Sequence, residues 1–233
     1  MGKIKLVTVI LWLSIIGFTA GRVFAQQDVI LPITGGVYHM ITSPVVPQDP
    51  DPQVSLEDDL GPYDEIQWRL FRYDPAQTQY VELKSPDWSQ EQDFDFGRGY
   101  WIISRNPTDI DIQGDPAVVN FIILKGDGDG WNQIGNIYLQ DFTIGLYPNC
   151  NLTVTPAAGG PTYQLNDWNS PNPYTHFTLK EYAGGLSYTD IGDDVGEKLE
   201  TGKGYWLKNT SGQDVVLSFL PAGLTSVSSA NSL

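Results

Sequence analysis

The sequence predicts an all-β protein of two tandem homologous units, each a β-sandwich or barrel-like fold of about six short strands. Three observations predict it. One phrase is written twice, as Gly97-Arg98-Gly99-Tyr100-Trp101 and Gly202-Lys203-Gly204-Tyr205-Trp206. The residues around the two copies align with one another, and they alternate apolar with polar between turn residues, with almost no helical periodicity.

The elements follow in order. Val29 to Ile33, the glycines Gly35-Gly36 and then Val37 to Ile41 match Phe121 to Leu124, Gly126 to Gly130 and Trp131 to Gly135. Both read as strand, glycine turn, strand. Trp68 to Tyr73 with Tyr80 to Leu83 matches Phe177 to Tyr182 with Tyr188 to Ile191. Turn residues between them, Asp74-Pro75 and Gly184-Gly185, mark each pair as a hairpin. The repeated phrase comes next, and Ile110 to Ile112 then matches Val215 to Leu217. The units are placed at 28–116 and 119–223, with a single helical turn over Ser55 to Leu60 capped by Ser55. A single sandwich with internal pseudo-symmetry is the competing arrangement.

Ahead of the units, Lys3 and Lys5, an apolar run from Leu6 to Phe18 and Val23-Phe24-Ala25 form the pattern of a secretory signal peptide over 1–25. Cleavage after Ala25 is expected, and residues 224–233 read as a flexible tail. Removing Lys3, Lys5 and Arg22 leaves 10 basic residues against 28 acidic ones, a net charge of −18. Such a surface repels phosphate backbones and anionic lipids, so nucleic acid and membrane surfaces are disfavoured partners. Cys150 is the only cysteine, so no intramolecular disulfide supports the fold.

The units differ in one insertion each. Val46 to Glu65 is rich in proline and carboxylates, and Leu146 to Tyr174 carries Tyr147, Tyr163, Trp168 and Tyr174 among Gly, Pro and Asn. Loops on a rigid β scaffold often carry function, so these two segments are where it is sought.

Gly130-Trp131-Asn132-Gln133-Ile134-Gly135 and Gly202-Lys203-Gly204-Tyr205-Trp206 together resemble a tandem β-repeat of bacterial secreted and cell-surface proteins, common in Bacteroidetes-like bacteria. The resemblance spans Val29 to Gly223 and implies an extracellular, non-catalytic accessory role. It carries over no catalytic residues. In the first unit, Tyr38 stands beside the place where a counterpart of Trp131 is expected.

Within the repeated phrase, the glycines suit a tight turn or bulge, the aromatics suit the core, and Arg98 or Lys203 suits solvent or a carboxylate. Asp127-Gly128-Asp129 suggests a calcium ligand pair, although Trp131 stands where an EF-hand loop needs a ligand. A plain hairpin turn is the competing reading. Glu57, Asp58 and Asp59, like Asp193-Asp194, read as solvated faces. His39 and His176 are the only histidines, and neither they nor Cys150 sit in a nucleophile motif. No other cofactor is implied. Tyr163, Asn166, Asp167, Trp168 and Tyr174 have the composition of a glycan site, with pinning of the loop as the alternative.

The sequence therefore predicts a secreted, non-catalytic structural or interaction module at or outside the cell envelope. Its partner would be an extracellular glycan or surface protein, and strand edges permit self-association. A carbohydrate-binding protein using the second insertion and a carboxylate-based hydrolase are the alternatives.

Overall fold

A computed structural model describes residues 26–84 and 94–220, so the expected signal segment and tail lie outside the described residues. The protein is all-β, as expected. The N-terminal half contains β1 (Gln27–Ile33), β2 (Tyr38–Thr42), β3 (Val45–Pro47), helix α1 (Pro52–Leu60), β4 (Trp68–Asp74), β5 (Gln79–Leu83), β6 (Gly99–Ser104) and β7 (Thr108–Pro116). The C-terminal half contains β8 (Phe121–Leu124), β9 (Trp131–Gly135), β10 (Phe142–Thr143), β11 (Leu152–Pro156), β12 (Tyr163–Gln164), β13 (Leu179–Gly184), β14 (Ser187–Ile191), β15 (Lys198–Leu199), β16 (Gly204–Lys208) and β17 (Val215–Phe219).

The strands of the first half pair in the orders β1-β7-β3 and β2-β6-β4-β5. Those of the second pair as β8-β17-β11-β12 and β9-β16-β13-β14, with β10 and β15 as a separate short ladder. In these orders β8, β17 and β11 take the places of β1, β7 and β3, while β9, β16, β13 and β14 take those of β2, β6, β4 and β5. Both hairpins form where the turn residues place them, β4 with β5 and β13 with β14.

The two insertions are less unmatched than the sequence suggests. Strand β3, at the start of the first, pairs with β7, and β11, inside the second, pairs with β17 in the equivalent position. Each insertion thus supplies a third strand to its sheet. The rest of the acidic insertion covers the core of its half. Its helix is longer than one turn and is capped by Asp51, whose carboxylate accepts the Gln53 N–H at 2.8 Å, with Pro52 in the first turn and Gly61 closing it at φ 75°. Ser55 instead sits inside the helix and donates to the Asp49 carbonyl at 2.6 Å. Leu56 of this helix is fully buried among the strands.

Among the described residues, buried apolar side chains fall into three clusters. One joins both sheets of the first half, from Val29 and Leu31 to Trp68, Tyr100 and Ile112. A second joins the sheets of the second half, from Leu124 and Leu152 to Tyr205 and Phe219. The third is small and lies between the halves: Met40, Trp101 and Trp206, with Phe71, Tyr73, Trp131 and Tyr182 packed on it.

Strand alternation explains why the repeated phrase feeds two clusters. Tyr100 and Tyr205 point inward and are fully buried, and each hydroxyl accepts the N–H of the residue five positions upstream, Asp95 at 2.6 Å and Glu200 at 2.8 Å. Burial pushes both phenols well above the usual tyrosine value. Trp101 and Trp206 point the opposite way, into the seam.

Candidate functional site

The seam is built by the repeated phrase itself. The Gly97 carbonyl accepts the Gly135 N–H at 2.9 Å, and the Gly202 carbonyl accepts the Thr42 N–H at 2.9 Å. Arg98 is bridged to Ile134 and Lys203 to Ile41, so each phrase runs antiparallel beside the second strand of the opposite half. The glycines here serve close approach as well as turning. Gly97 and Gly202 have φ of 69° and 78°, and a Cβ would lie 2.8 Å from Ile122 and 2.1 Å from Leu31 of the opposite half. The basic residues meet carboxylates as expected: Arg98 reaches Asp95 at 3.1 Å, and Lys203 contacts Glu181 and Glu200.

Beside this junction the outward faces of four strands from each half present aromatic rings. Trp101 lies opposite Met40 in the β6–β2 ladder and Trp206 opposite Gln133 in the β16–β9 ladder. Two residues along, Tyr38 and Trp131 therefore occupy equivalent places. The sequence alignment sets Val37 against Trp131, a one-residue slip that would turn the side chain to the wrong face.

The rings interlock across the seam. Trp206 meets Tyr73 of the other half edge-on at 5.1 Å and 82°, and Trp101 meets Tyr182 at 4.7 Å and 89°. Within each half the equivalent pairs are Tyr38–Trp101 at 6.2 Å and Trp131–Trp206 at 6.1 Å, both edge-to-face. Edge-to-face geometry places the positive ring edge on a negative ring face, which adds about 0.5–1.5 kcal/mol per pair beyond area burial.

Two hollows open on this aromatic surface. One of about 330 Å³ is lined by Tyr73, Tyr80, Trp131, Lys180, Tyr188 and Trp206. The other, about 270 Å³, is lined by Tyr38, Phe71, Tyr80, Trp101, Tyr182, Gly185 and Tyr188. Tyr80 and Tyr188 border both, so the hollows are two compartments of one groove. The linings correspond in most places, Trp206 to Trp101 and Tyr73 to Tyr182, but Trp131 stands where the other has Tyr38 and Lys180 where it has Phe71, and Gly185 has no counterpart. Tyr80 is 51% exposed and Tyr188 45%, whereas Trp101 and Trp206 at the floor are each 7% exposed. Partial burial raises the phenols of Tyr80 and Tyr188, opposed by hydrogen bonding from the Trp101 and Trp206 indoles respectively. Both hydroxyls therefore remain protonated donors at neutral pH.

The groove edge carries polar groups. Lys180 contacts Asp190 at 2.5 Å, and the Lys208 ammonium lies 5.4 Å from the centre of the Trp131 ring. His176 stands edge-on to Trp131 at 5.8 Å, and burial with Lys208 and Lys180 nearby lowers its pKa from the ordinary value.

The residues singled out in the second insertion are distributed differently. Tyr163 and Tyr174 meet edge-to-face at 5.6 Å and pack against the core. Asn166 is 2% exposed, and its amide nitrogen donates to the carbonyls of Gly145 and Gly192, which pins the loop, while its Oδ1 is buried without a partner among the described residues. Asp167 accepts the N–H groups of Asn169 and Ser170, closing a turn. Trp168 is 61% exposed, with the Tyr147 ring 5.6 Å away. Of the five, Trp168 is the one with an open aromatic surface.

Asp127-Gly128-Asp129 lies at the seam. Asp129 accepts the Tyr73 hydroxyl at 2.6 Å and the Trp131 N–H at 3.1 Å, and a Cβ on Gly128 would collide with the Pro75 carbonyl at 1.7 Å. The turn docks one half on the other. Among the described residues, the carboxylates that converge in a group of three are Asp58, Asp59 and Asp111, not this pair. Asp59 accepts the Asp111 N–H at 2.6 Å, and burial raises its carboxyl. Cys150 is buried, its thiol raised by burial and directed at the Leu152 carbonyl, and His39 accepts the Thr34 N–H at 3.0 Å.

Sequence reasoning missed the groove although its signal was present. Tyr73 aligns with Tyr182 and Tyr80 with Tyr188, so the duplication repeats aromatics on the outer face, where a solvent-facing sheet would carry polar residues. No protein-family model matches the chain, and no curated protein or solved structure matches it either.

Proposed function

We propose that the mature chain is a non-catalytic binding module acting at or outside the bacterial cell envelope, with the seam groove as its recognition surface and a neutral glycan chain as its ligand. One observation carries this reading: two corresponding aromatic hollows of about 330 and 270 Å³ share Tyr80 and Tyr188 on an exposed face. Aromatic rings take the apolar faces of sugars, while phenol hydroxyls and the groups at the rim meet sugar hydroxyls. Corresponding hollows in series suit a polymer of repeated units. The Leu6 to Phe18 run with its flanking residues supports export, and the net charge of −18 favours a neutral over an anionic ligand for this open face.

A polysaccharide array with the purified mature protein tests the reading. Retention of a neutral glycan is expected, weakened about tenfold by either Tyr80→Ala or Tyr188→Ala. Trp168→Ala should leave it unchanged. Retention that depends on Trp168 and ignores both tyrosines would move the site to the second insertion and defeat the groove.

A further inference from the structure

The correspondence between the two hollows breaks at their charged member. Lys180 lines the larger one, and the Lys208 ammonium lies 5.4 Å from the centre of its Trp131 ring. Both repel a cation. At the place of Lys180 the smaller hollow has Phe71, so its lining is six aromatic rings and Gly185, with no charged side chain.

Trp101 forms the floor of this smaller hollow. Tyr38 stands at 86° to it, 6.2 Å away, and Tyr182 at 89°, 4.7 Å away, so two walls rise from the floor near right angles. Tyr38 belongs to β2 and Tyr182 to β13, which makes the enclosure a product of the seam. Tyr38, Tyr80 and Tyr188 are 43%, 51% and 45% exposed, so their ring surface is open to a ligand. The negative faces of aromatic rings attract cations, and several rings around one hollow combine that attraction. Two rings of this surface already hold cations of the chain, Lys208 at Trp131 and Arg69 at 4.8 Å from the centre of Phe71. Glu82 meets the Arg69 guanidinium at 2.6 and 2.7 Å, which balances its charge beside the hollow.

We propose that the smaller hollow is an aromatic cage for a small quaternary ammonium ion of the choline class. Its N-methyl groups need no hydrogen-bond acceptor, which suits walls made of rings. The net charge of −18 draws a cation and repels a phosphate-linked headgroup. The inference goes beyond the glycan reading and stands without it, because Tyr38 and Phe71 line this hollow and not the larger one.

The test titrates purified mature protein against choline and follows the N-methyl proton signal by NMR. A saturable upfield shift from the ring currents is expected, whether or not the protein retains a glycan. The neutral isostere of choline, with carbon in place of nitrogen, should bind about tenfold more weakly, and phosphocholine should also bind more weakly than choline. Phe71→Lys gives the first half the residue type that the second half has at the equivalent position, and it should weaken choline binding about tenfold or more. Tyr38→Ala removes one exposed wall and should weaken it about fivefold, which keeps the test decisive if Phe71→Lys does not fold. Absence of a saturable shift overturns the proposal. So does equal or tighter binding of the isostere or of phosphocholine, or wild-type choline affinity in either folded variant.

Discussion

Seven strands of each half follow one order of pairing, but the two halves meet the seam with different residues. At equivalent places the first half offers Tyr38, Phe71 and Thr42, and the second offers Trp131, Lys180 and Gly135. The floor is common to both, Trp101 with Trp206 and Tyr73 with Tyr182, whereas contacts on the quasi-axis are not. A Cβ on Gly135 would lie 2.2 Å from the Thr42 Cβ, so the two equivalent positions touch each other and cannot both carry side chains. The junction requires a glycine at one of the two positions at least, and here the second half supplies it. The flank is asymmetric too: Tyr73 is tied to Asp129 across the seam, while the Tyr182 hydroxyl donates to Gly185 of its own hairpin at 3.2 Å.

Removing the floor gives the largest expected effects. Trp206→Ala and Trp101→Ala should each lower stability by about 3–5 kcal/mol in denaturant melts, because each leaves a cavity in a packed cluster. Trp206 meets the rings of Tyr73, Tyr80 and Trp131, and Trp101 those of Tyr38 and Tyr182, so the Trp206 loss should be the greater. Equal losses would show that the ring count does not distinguish the halves.

Gly135→Ala should cost about 1–3 kcal/mol through overpacking against Thr42. Combining it with Thr42→Gly moves the Cβ to the other side of the contact, and the double mutant should recover part of the loss. Additive losses in that cycle would mean that the contact on the axis is not the source of the asymmetry.

Tyr73→Phe removes a hydrogen bond to a carboxylate, and a loss of about 1–2 kcal/mol in thermal or denaturant melts is expected, against less than about 0.5 for Tyr182→Phe. Similar values for the two would erase the flank asymmetry.

Titration separates the hairpins by the smallest margin. Glu82 receives Arg69 at 2.6 and 2.7 Å and the Tyr63 hydroxyl at 2.5 Å, while the equivalent Asp190 receives Lys180 and Thr178. Hydrogen bonding from Arg69 lowers the Glu82 carboxyl below its ordinary 4.5, and Lys180 lowers Asp190 below 3.8. A carboxyl depressed in the folded state stabilises above its unfolded pKa, and that contribution is lost as pH falls through the folded value. Glu82→Gln should therefore cost about 1 kcal/mol at pH 7 and little well below pH 4. Asp190→Asn should cost less at pH 7, since its carboxylate is 47% exposed against 15% for Glu82. A Glu82→Gln loss that is independent of pH would assign the effect to packing instead.

Much of the fold was legible because its signals are local. Period-two alternation and glycine turns marked both hairpins, and the repeated phrase marked β6 and β16. The third strand of each sheet was harder, since β3 and β11 lie in segments whose residues do not resemble each other and whose pairing to β7 and β17 is distant in the chain. The helix cap at Asp51-Pro52 was readable but was overshadowed by Ser55. At the candidate site the paired tyrosines were visible as duplicated aromatics, whereas the equivalence of Trp131 and Tyr38 was hidden by the one-residue slip, and no sequence pattern signalled that the Asn166 amide is buried between two carbonyls.

By itself the sequence determined the strands that alternate in both copies and that each Tyr-Trp pair splits between two faces, because backbone alternation is a local property. Only the tertiary structure decided what the outer faces meet. Trp101 finds Tyr182, and Trp206 finds Tyr73, through a junction that depends on close approach at a few glycines and on one Thr-Gly contact. Such packing is set by shape across long sequence separations, which strand periodicity does not encode.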